Sequence, residues 1–256
     1  MLQVQHMVKY FGGVHAVDGV SFEVAAGECV ALIGPNGAGK STCFACIAGQ
    51  YALTGGDIFW SGQSLQALAP AARLKKGVAR TFQVAQVFEA LTVLQNVQLT
   101  LQAVAGPGAI SAFKSLDSRS RQEAAVLLGQ TGLEALAGED VLSLSYGAKK
   151  RLELALALAG SPKLLLLDEP AAGLAEEERA SLMLLVKRLA GQGMAVLYTE
   201  HNMDAVAGVA DRVLVLIEGR LAAQGSFEAV SRDATVRRLY LGEGQEAPEG
   251  EGTAHA

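Results

Sequence analysis

The chain has 256 residues, half of them hydrophobic, and carries 21 basic against 26 acidic side chains for a net charge of -5. That length and apolar content build one large domain, or a domain with a subdomain, and the absence of a dense basic run argues against a dedicated nucleic-acid binder. The three cysteines, Cys29, Cys43 and Cys46, have neither zinc spacing nor a disulfide framework, and are expected to be small packing residues in a reducing compartment.

The opening Met1-Leu2-Gln3-Val4-Gln5-His6 lacks the pattern of a secretory signal. Apolar-rich stretches such as 152–159 and 164–167 fall far short of the roughly 20 residues that span a membrane. A soluble, cytosolic protein is expected, reaching any membrane through a partner. Val4, His6 and Val8 alternate, as do Val20, Phe22 and Val24. They predict antiparallel strands turned at Phe11-Gly12-Gly13. The run Cys29-Val30-Ala31-Leu32-Ile33 predicts a buried strand.

Between that strand and a predicted helix over Thr42-Cys43-Phe44-Ala45-Cys46-Ile47-Ala48 lies Gly34-Pro35-Asn36-Gly37-Ala38-Gly39-Lys40-Ser41. This is a complete phosphate-binding loop. Its glycines let the backbone curl so that successive N–H groups face the β- and γ-phosphates of a nucleotide. Lys40 adds a mobile positive charge, and Ser41 offers a hydroxyl to Mg²⁺. The following helix turns its positive dipole end toward the same anion. A strand before and a helix after separate this segment from a plain glycine turn.

Further along, Gly55-Gly56-Asp57-Ile58-Phe59-Trp60-Ser61-Gly62 predicts a short strand between turns. From about 84 to 141 strand runs are missing and helical stretches such as 118–129 dominate, broken at Gly106-Pro107-Gly108. A helical subdomain inserted into the core is expected there. Helical patterns over 149–159, 176–190 and 203–207 then alternate with three apolar runs, 164–167, 195–199 and 213–217. Such alternation predicts an α/β fold, a parallel sheet with helices on both faces. The Gly- and Glu-rich residues 242–256 are expected to be disordered.

A phosphate loop alone hydrolyses nothing: Mg²⁺ needs a carboxylate, and the attacking water needs positioning. Asp168 ends the apolar run at 164–167, where a Mg²⁺-directed carboxylate belongs. Glu169 beside it is placed to act as general base on water.

In this order the motifs resemble those of ABC-type ATPase subunits, and the likeness covers nearly the whole chain. Gly34, Pro35, Asn36, Gly37, Ala38, Gly39, Lys40, Ser41 and Thr42 match the Walker A loop. Leu164-Leu165-Leu166-Leu167-Asp168 with Glu169 matches Walker B and its catalytic glutamate. Gln83, in Arg80-Thr81-Phe82-Gln83, matches the Q-loop, and Leu144-Ser145-Tyr146-Gly147-Ala148 the signature. Gly173-Leu174-Ala175 lies where the D-loop belongs, and His201 matches the switch histidine. Phe11 matches the aromatic residue that stacks on adenine, with Tyr10 as an alternative. The resemblance implies Glu169, His201, Gln83 and Lys40 as catalytic residues and Ser41, Gln83 and Asp168 as Mg²⁺ ligands. It implies that Ser145 and Gly147 contact the γ-phosphate held by the other subunit of a head-to-tail dimer. ATP and Mg²⁺ are the implied cofactors. The implied fold is a P-loop NTPase core of ABC type with an antiparallel β subdomain and an inserted helical subdomain. Its divisions would be 1–83, 84–142, 143–241 and the tail 242–256.

One set of motifs and no long heptad run favour a transporter over the soluble ABC proteins of translation or DNA repair. Residues 78–83 and 87–97, with Phe11-Gly12-Gly13-Val14-His15-Ala16-Val17, Ala171-Ala172-Gly173-Leu174 and Tyr240-Leu241-Gly242, resemble the branched-chain amino-acid group of importers, which includes urea importers. The implied function is an ATP-binding subunit powering uptake of a small polar solute, branched-chain or other amino acids foremost. Urea, amides and small carboxylates are alternatives, and a soluble ABC ATPase is a more distant one. The implied partners are a second ABC ATPase subunit, identical or different, two integral-membrane permeases and, indirectly, an external solute-binding protein. No nucleic acid is implied, and the place is the cytoplasmic face of the inner membrane. The stretch 83–97 would form the groove that receives a permease coupling helix. Tyr146 and Ala148 stand where Gly and Gln are common, and Ala175 where many members have Asp or Asn.

Overall fold

The computed structural model describes residues 1–81, 87–105, 118–201 and 203–240. In chain order, strands β1 (Leu2–Phe11), β2 (Val14–Val24) and β3 (Cys29–Ile33) lead into helix α1 (Lys40–Ala48). Then come β4 (Gly55–Trp60), β5 (Gln63–Ser64), α2 (Pro70–Lys75) and β6 (Val78–Arg80). Helices α3 (Val93–Ala105), α4 (Ser118–Thr131) and α5 (Tyr146–Leu158) follow. The rest alternates: β7 (Leu164–Leu167), α6 (Glu176–Gly191), β8 (Ala195–Thr199), α7 (Met203–Ala207), β9 (Arg212–Ile217) and β10 (Arg220–Gly225). Short helices α8 (Phe227–Ser231) and α9 (Ala234–Tyr240) end the described chain.

Two sheets divide the strands. One is antiparallel, in the order β2-β1-β4-β5. The other has the order β10-β9-β3-β8-β7-β6, parallel except where β10 pairs with β9. The central strands are buried on both faces, as their unbroken apolar runs require. Alternate residues serve different cores. Leu164 and Leu166 join the cluster between the two sheets, with Leu2, Val4 and Phe22 and with Phe44 and Ile47 of α1. Leu165 and Leu167 join the opposite cluster, with Leu182 and Val186 of α6. A third cluster, built on Val93, Val97, Leu128, Leu133 and Leu152, gathers α3, α4 and one side of α5. Leu154 and Leu158 of the same α5 belong to the sheet's core, so this helix joins the helical segment to the sheet.

The alternation of Val4, His6 and Val8 does not survive. His6 takes a φ of 47°, and the β1–β2 register shifts between Val4 and Met7. This bulge turns Met7, not His6, into the core. The His6 N–H donates to Ser21 Oγ at 2.8 Å instead. Gly106-Pro107-Gly108, Gln83 and the tail beyond 240 lie outside the described residues.

The strand order decides where chemistry gathers. β8 lies between β3 and β7, and all three run parallel. Their carboxyl ends therefore open on one edge of the sheet, the usual place for a ligand in such folds. That edge carries the glycine loop after β3, Asp168 after β7, Thr199 at the end of β8 and His201 after it.

Candidate functional site

The loop from Gly34 to Gly39 is held by close backbone approach. A Cβ on Gly34 would stand 2.2 Å from the Leu216 carbonyl oxygen, and one on Gly39 would stand 2.2 Å from that of Ala16. Gly39 also has a φ of +101°, a conformation that glycine adopts freely. Ala38 locks the loop further, its carbonyl accepting from the Gly219 N–H at 3.0 Å. Gly37 has a φ of +80° but nothing near its absent Cβ; with Asn36 it forms the exposed tip.

Helix α1 starts from Gly39 with no side-chain cap and no acidic residue in its first turn. Its leading N–H groups and dipole are thus left to an outside anion. Lys40 is buried, and its Nζ donates to the carbonyls of Gly34 at 2.7 Å and Pro35 at 3.1 Å. Burial lowers its pKa, against the opposing pull of Glu169 and Asp168. Ser41 is exposed beside it, and Thr42 half-buried.

Asp168 is buried and held from both sides. Its Oδ2 accepts from Arg80 Nη2 at 2.7 Å, and its Oδ1 from Thr199 Oγ1 at 3.0 Å. Arg80 also donates to Gln50 Oε1, beyond the end of α1, and lies over the Phe44 ring. Glu169 has a φ of +49°, strained for a residue with a side chain, and its N–H donates to Thr199 Oγ1 at 2.9 Å. Its carboxylate Oε1 lies 2.6 Å from His201 Nε2. The arrangement pairs an anion-binding helix start and a buried cation with two carboxylates. One carboxylate is fixed by an ion pair; the other is hydrogen-bonded to an imidazole. That set can hold a polyphosphate and take a proton from water near it.

Other expected site residues lie apart from this cluster. Ser145 caps α5, its Oγ accepting from the Ala148 N–H at 3.2 Å. Gly147 is buried, and a Cβ there would stand 2.5 Å from Glu178 Oε1. Tyr146 packs its ring on Gly173, where a Cβ would come within 3.2 Å. At the end of β1, Phe11 is 42% exposed and meets Tyr51 edge to face at 5.1 Å. Lys9 Nζ lies 4.8 Å from the Phe11 ring centre. Tyr10 is engaged elsewhere: it stacks on His15 at 3.9 Å and donates to Asp18 Oδ1 at 3.2 Å.

Arg80, Thr199, Tyr51 and Glu178 were not among the residues expected at the site. Arg80 and Thr199 come to Asp168 only through the order of strands β6, β7 and β8. Tyr51 follows α1, and its approach to Phe11 depends on how α1 and β1 meet. For none of the four does local sequence spacing carry a signal.

Comparison with known proteins shows the family. The ABC transporter family model matches residues 17–172. The high-affinity branched-chain amino acid transport ATP-binding protein LivG of Escherichia coli (strain K12) is 37% identical over 250 residues, covering 95% of this chain and 98% of its own. BraF of Pseudomonas aeruginosa, described in the same words, is 36% identical with the same coverage. Among solved structures, the ADP conformation of the ATP-binding cassette MJ1267 of an ABC transporter superposes with a TM-score of 0.84 at 30% identity. It covers 95% of this chain and 99% of that one. The dimeric post-hydrolysis cassette MJ0796, bound to ADP and phosphate, matches with a TM-score of 0.74 at 26% identity, covering 89% and 99%.

Proposed function

Because the chain belongs to the ABC transporter family of ATP-binding subunits and is an ATPase, we propose that it powers the import of amino acids, branched-chain ones foremost. The observation that carries this reading is the match to LivG and BraF along nearly their whole lengths.

The residue roles in this proposal are supported by the geometry around the loop and by the motifs. The backbone N–H groups of the loop 34–42, Pro35 alone lacking one, and the Lys40 ammonium hold the triphosphate. Phe11, the more open of the two neighbouring aromatic rings, stacks on adenine. Glu169 accepts the proton of the attacking water, and His201 keeps Glu169 and the γ-phosphate in register. Ser145 and Gly147 serve the nucleotide of a facing subunit. Gln83, outside the described residues, keeps the role its motif implies.

Mg²⁺ fits the donors present. It retains several waters and takes one or two protein oxygens beside the phosphates, which Ser41 and Asp168 supply. Bound there, it would neutralise charge developing on the phosphates. Arg80 and Thr199 each take one lone pair of an Asp168 oxygen and leave others.

We divide the chain into an ATPase core, 1–83 and 143–241, and a helical subdomain, 84–142, supported by the separate apolar cluster of α3 and α4. Among the described residues no helix is long and apolar enough to cross a membrane. The chain works, in this proposal, at the cytoplasmic face of the membrane. It pairs with a second ABC ATPase subunit beneath two permeases, which an external solute-binding protein supplies.

The test is capture of tagged Glu169→Gln protein from native membranes with ATP and Mg²⁺, together with leucine uptake in cells lacking the chain. Co-recovery of polytopic permeases and a second ATPase, with loss of leucine uptake, is expected. Unchanged leucine uptake with lost urea or amide uptake overturns the cargo. Recovery of ribosomes or DNA-processing proteins without a permease overturns transport itself.

A further inference from the structure

Thr199 is the last residue of β8 and is fully buried. β8 lies between the strand that delivers the phosphate loop and the strand that delivers the acidic pair, and Thr199 sits opposite Leu32 of β3. Its hydroxyl donates to Asp168 Oδ1 at 3.0 Å and accepts from the Glu169 N–H at 2.9 Å. A hydroxyl has one hydrogen to give, and here it goes to the side chain of one acidic residue while a lone pair takes the backbone of the next.

Two features make that bond consequential. Asp168 Oδ2 is already taken by Arg80 from β6, on the other side of β7. The carboxylate plane is thus set by one donor from each flanking strand. Glu169 sits at a φ of +49°, a strained conformation that persists only when its surroundings over-determine it. The Thr199 hydroxyl meets that residue at its N–H, directly beside the strained φ bond.

We infer that Thr199 is a positioning residue for ATP hydrolysis: its single hydroxyl sets the Mg²⁺-directed carboxylate of Asp168 and the backbone of the general base Glu169 in register with each other. This rests on the roles proposed above for Asp168 and Glu169. Valine at 199 keeps the shape and loses both bonds, whereas serine keeps the hydroxyl and loses a methyl group.

The experiment compares the full chain with Thr199→Val, Thr199→Ser and, as a control, Glu169→Gln. Turnover is measured with its kcat and KM, and affinity for a fluorescent ATP analogue is measured in EDTA and in Mg²⁺. Thr199→Val is expected to lower kcat by roughly 10- to 100-fold, the range that loss of one or two buried hydrogen bonds gives. Its affinity in EDTA should stay within about twofold of the parent, because the phosphate loop is untouched, and the gain on adding Mg²⁺ should shrink. Thr199→Ser should restore kcat to within about threefold.

Parental kcat in Thr199→Val overturns the inference, as does a Thr199→Ser defect as large as that of valine, which would point to packing. Loss of affinity in EDTA by Thr199→Val also overturns it. The control separates the two levels: Glu169→Gln inactive with Thr199→Val normal refutes only the role of Thr199. An active Glu169→Gln refutes the general base on which that role depends.

Discussion

His201 Nε2 stands 2.6 Å from Glu169 Oε1, so the imidazole after β8 and the carboxylate after β7 share one hydrogen bond. An acceptor fixed by such a bond presents its other lone pairs in a set direction. Glu169→Gln should retain ATP binding and lose turnover by roughly 10²- to 10⁴-fold, the usual worth of a general base. His201→Ala, which leaves the carboxylate in place but unaligned, should lose less. Single-turnover hydrolysis alongside nucleotide binding checks both, and a His201→Ala defect larger than that of Glu169→Gln would reverse the roles.

Lys40 is the buried cation of the loop. Lys40→Met should cost roughly 10-fold or more in ATP affinity, since a charge-assisted contact to phosphate is worth over 1.5 kcal/mol. Stability should move the other way. Burial holds the Lys40 pKa below the ordinary 10.5, so between the lowered value and 10.5 the unfolded chain binds more protons than the folded one. Stability from this group therefore rises with pH through that window. Lys40→Met should flatten the rise, as seen in denaturation midpoints at alkaline pH.

The loop glycines make a contrast within a few residues. Gly39→Ala forces a Cβ to 2.2 Å from a backbone carbonyl at a φ of +101°. It should cost about 2–4 kcal/mol, as clash and strain add, and abolish nucleotide binding. Gly37→Ala meets no atom and should cost only the left-handed strain, roughly 1 kcal/mol. Chemical denaturation and nucleotide titration of the pair check the ordering.

Two buried thiols act with the sign opposite to Lys40. Burial raises the pKa of Cys29 to about 12 and that of Cys46 to about 11, from an ordinary 9.0. Above pH 9 the unfolded thiols ionise while the folded ones stay protonated. Their stabilisation is complete below that value and is lost as pH rises toward 11–12, by up to about 1.4 kcal/mol per pH unit for each. Cys46→Ala should shift the pH 7 midpoint by a cavity cost and reduce the further loss at pH 10.

The parts of the site legible in the sequence were those whose meaning is local. Lys40 follows its glycines, and Asp168 and Glu169 follow their apolar strand, so spacing alone marks them. Thr199 and Arg80 lie 31 and 88 residues from Asp168 and reach it only because β6, β7 and β8 are neighbours. No periodicity encodes that order. The same holds for Gly147, whose cover by Glu178 depends on where α6 returns. At His6 the failure has another cause: alternation assumes a regular register, and a bulge breaks it.

Tyr146 has its ring against the bare Cα of Gly173, which makes the signature and the turn after Asp168 a single mechanical part. In the head-to-tail pair proposed above, a shift of one chain's hydrolytic edge would pass along that part toward the phosphate held for the other. A methyl group on Gly173 would act as a shim in this joint. Neither set of catalytic groups would be touched, yet the two sites would fall out of step.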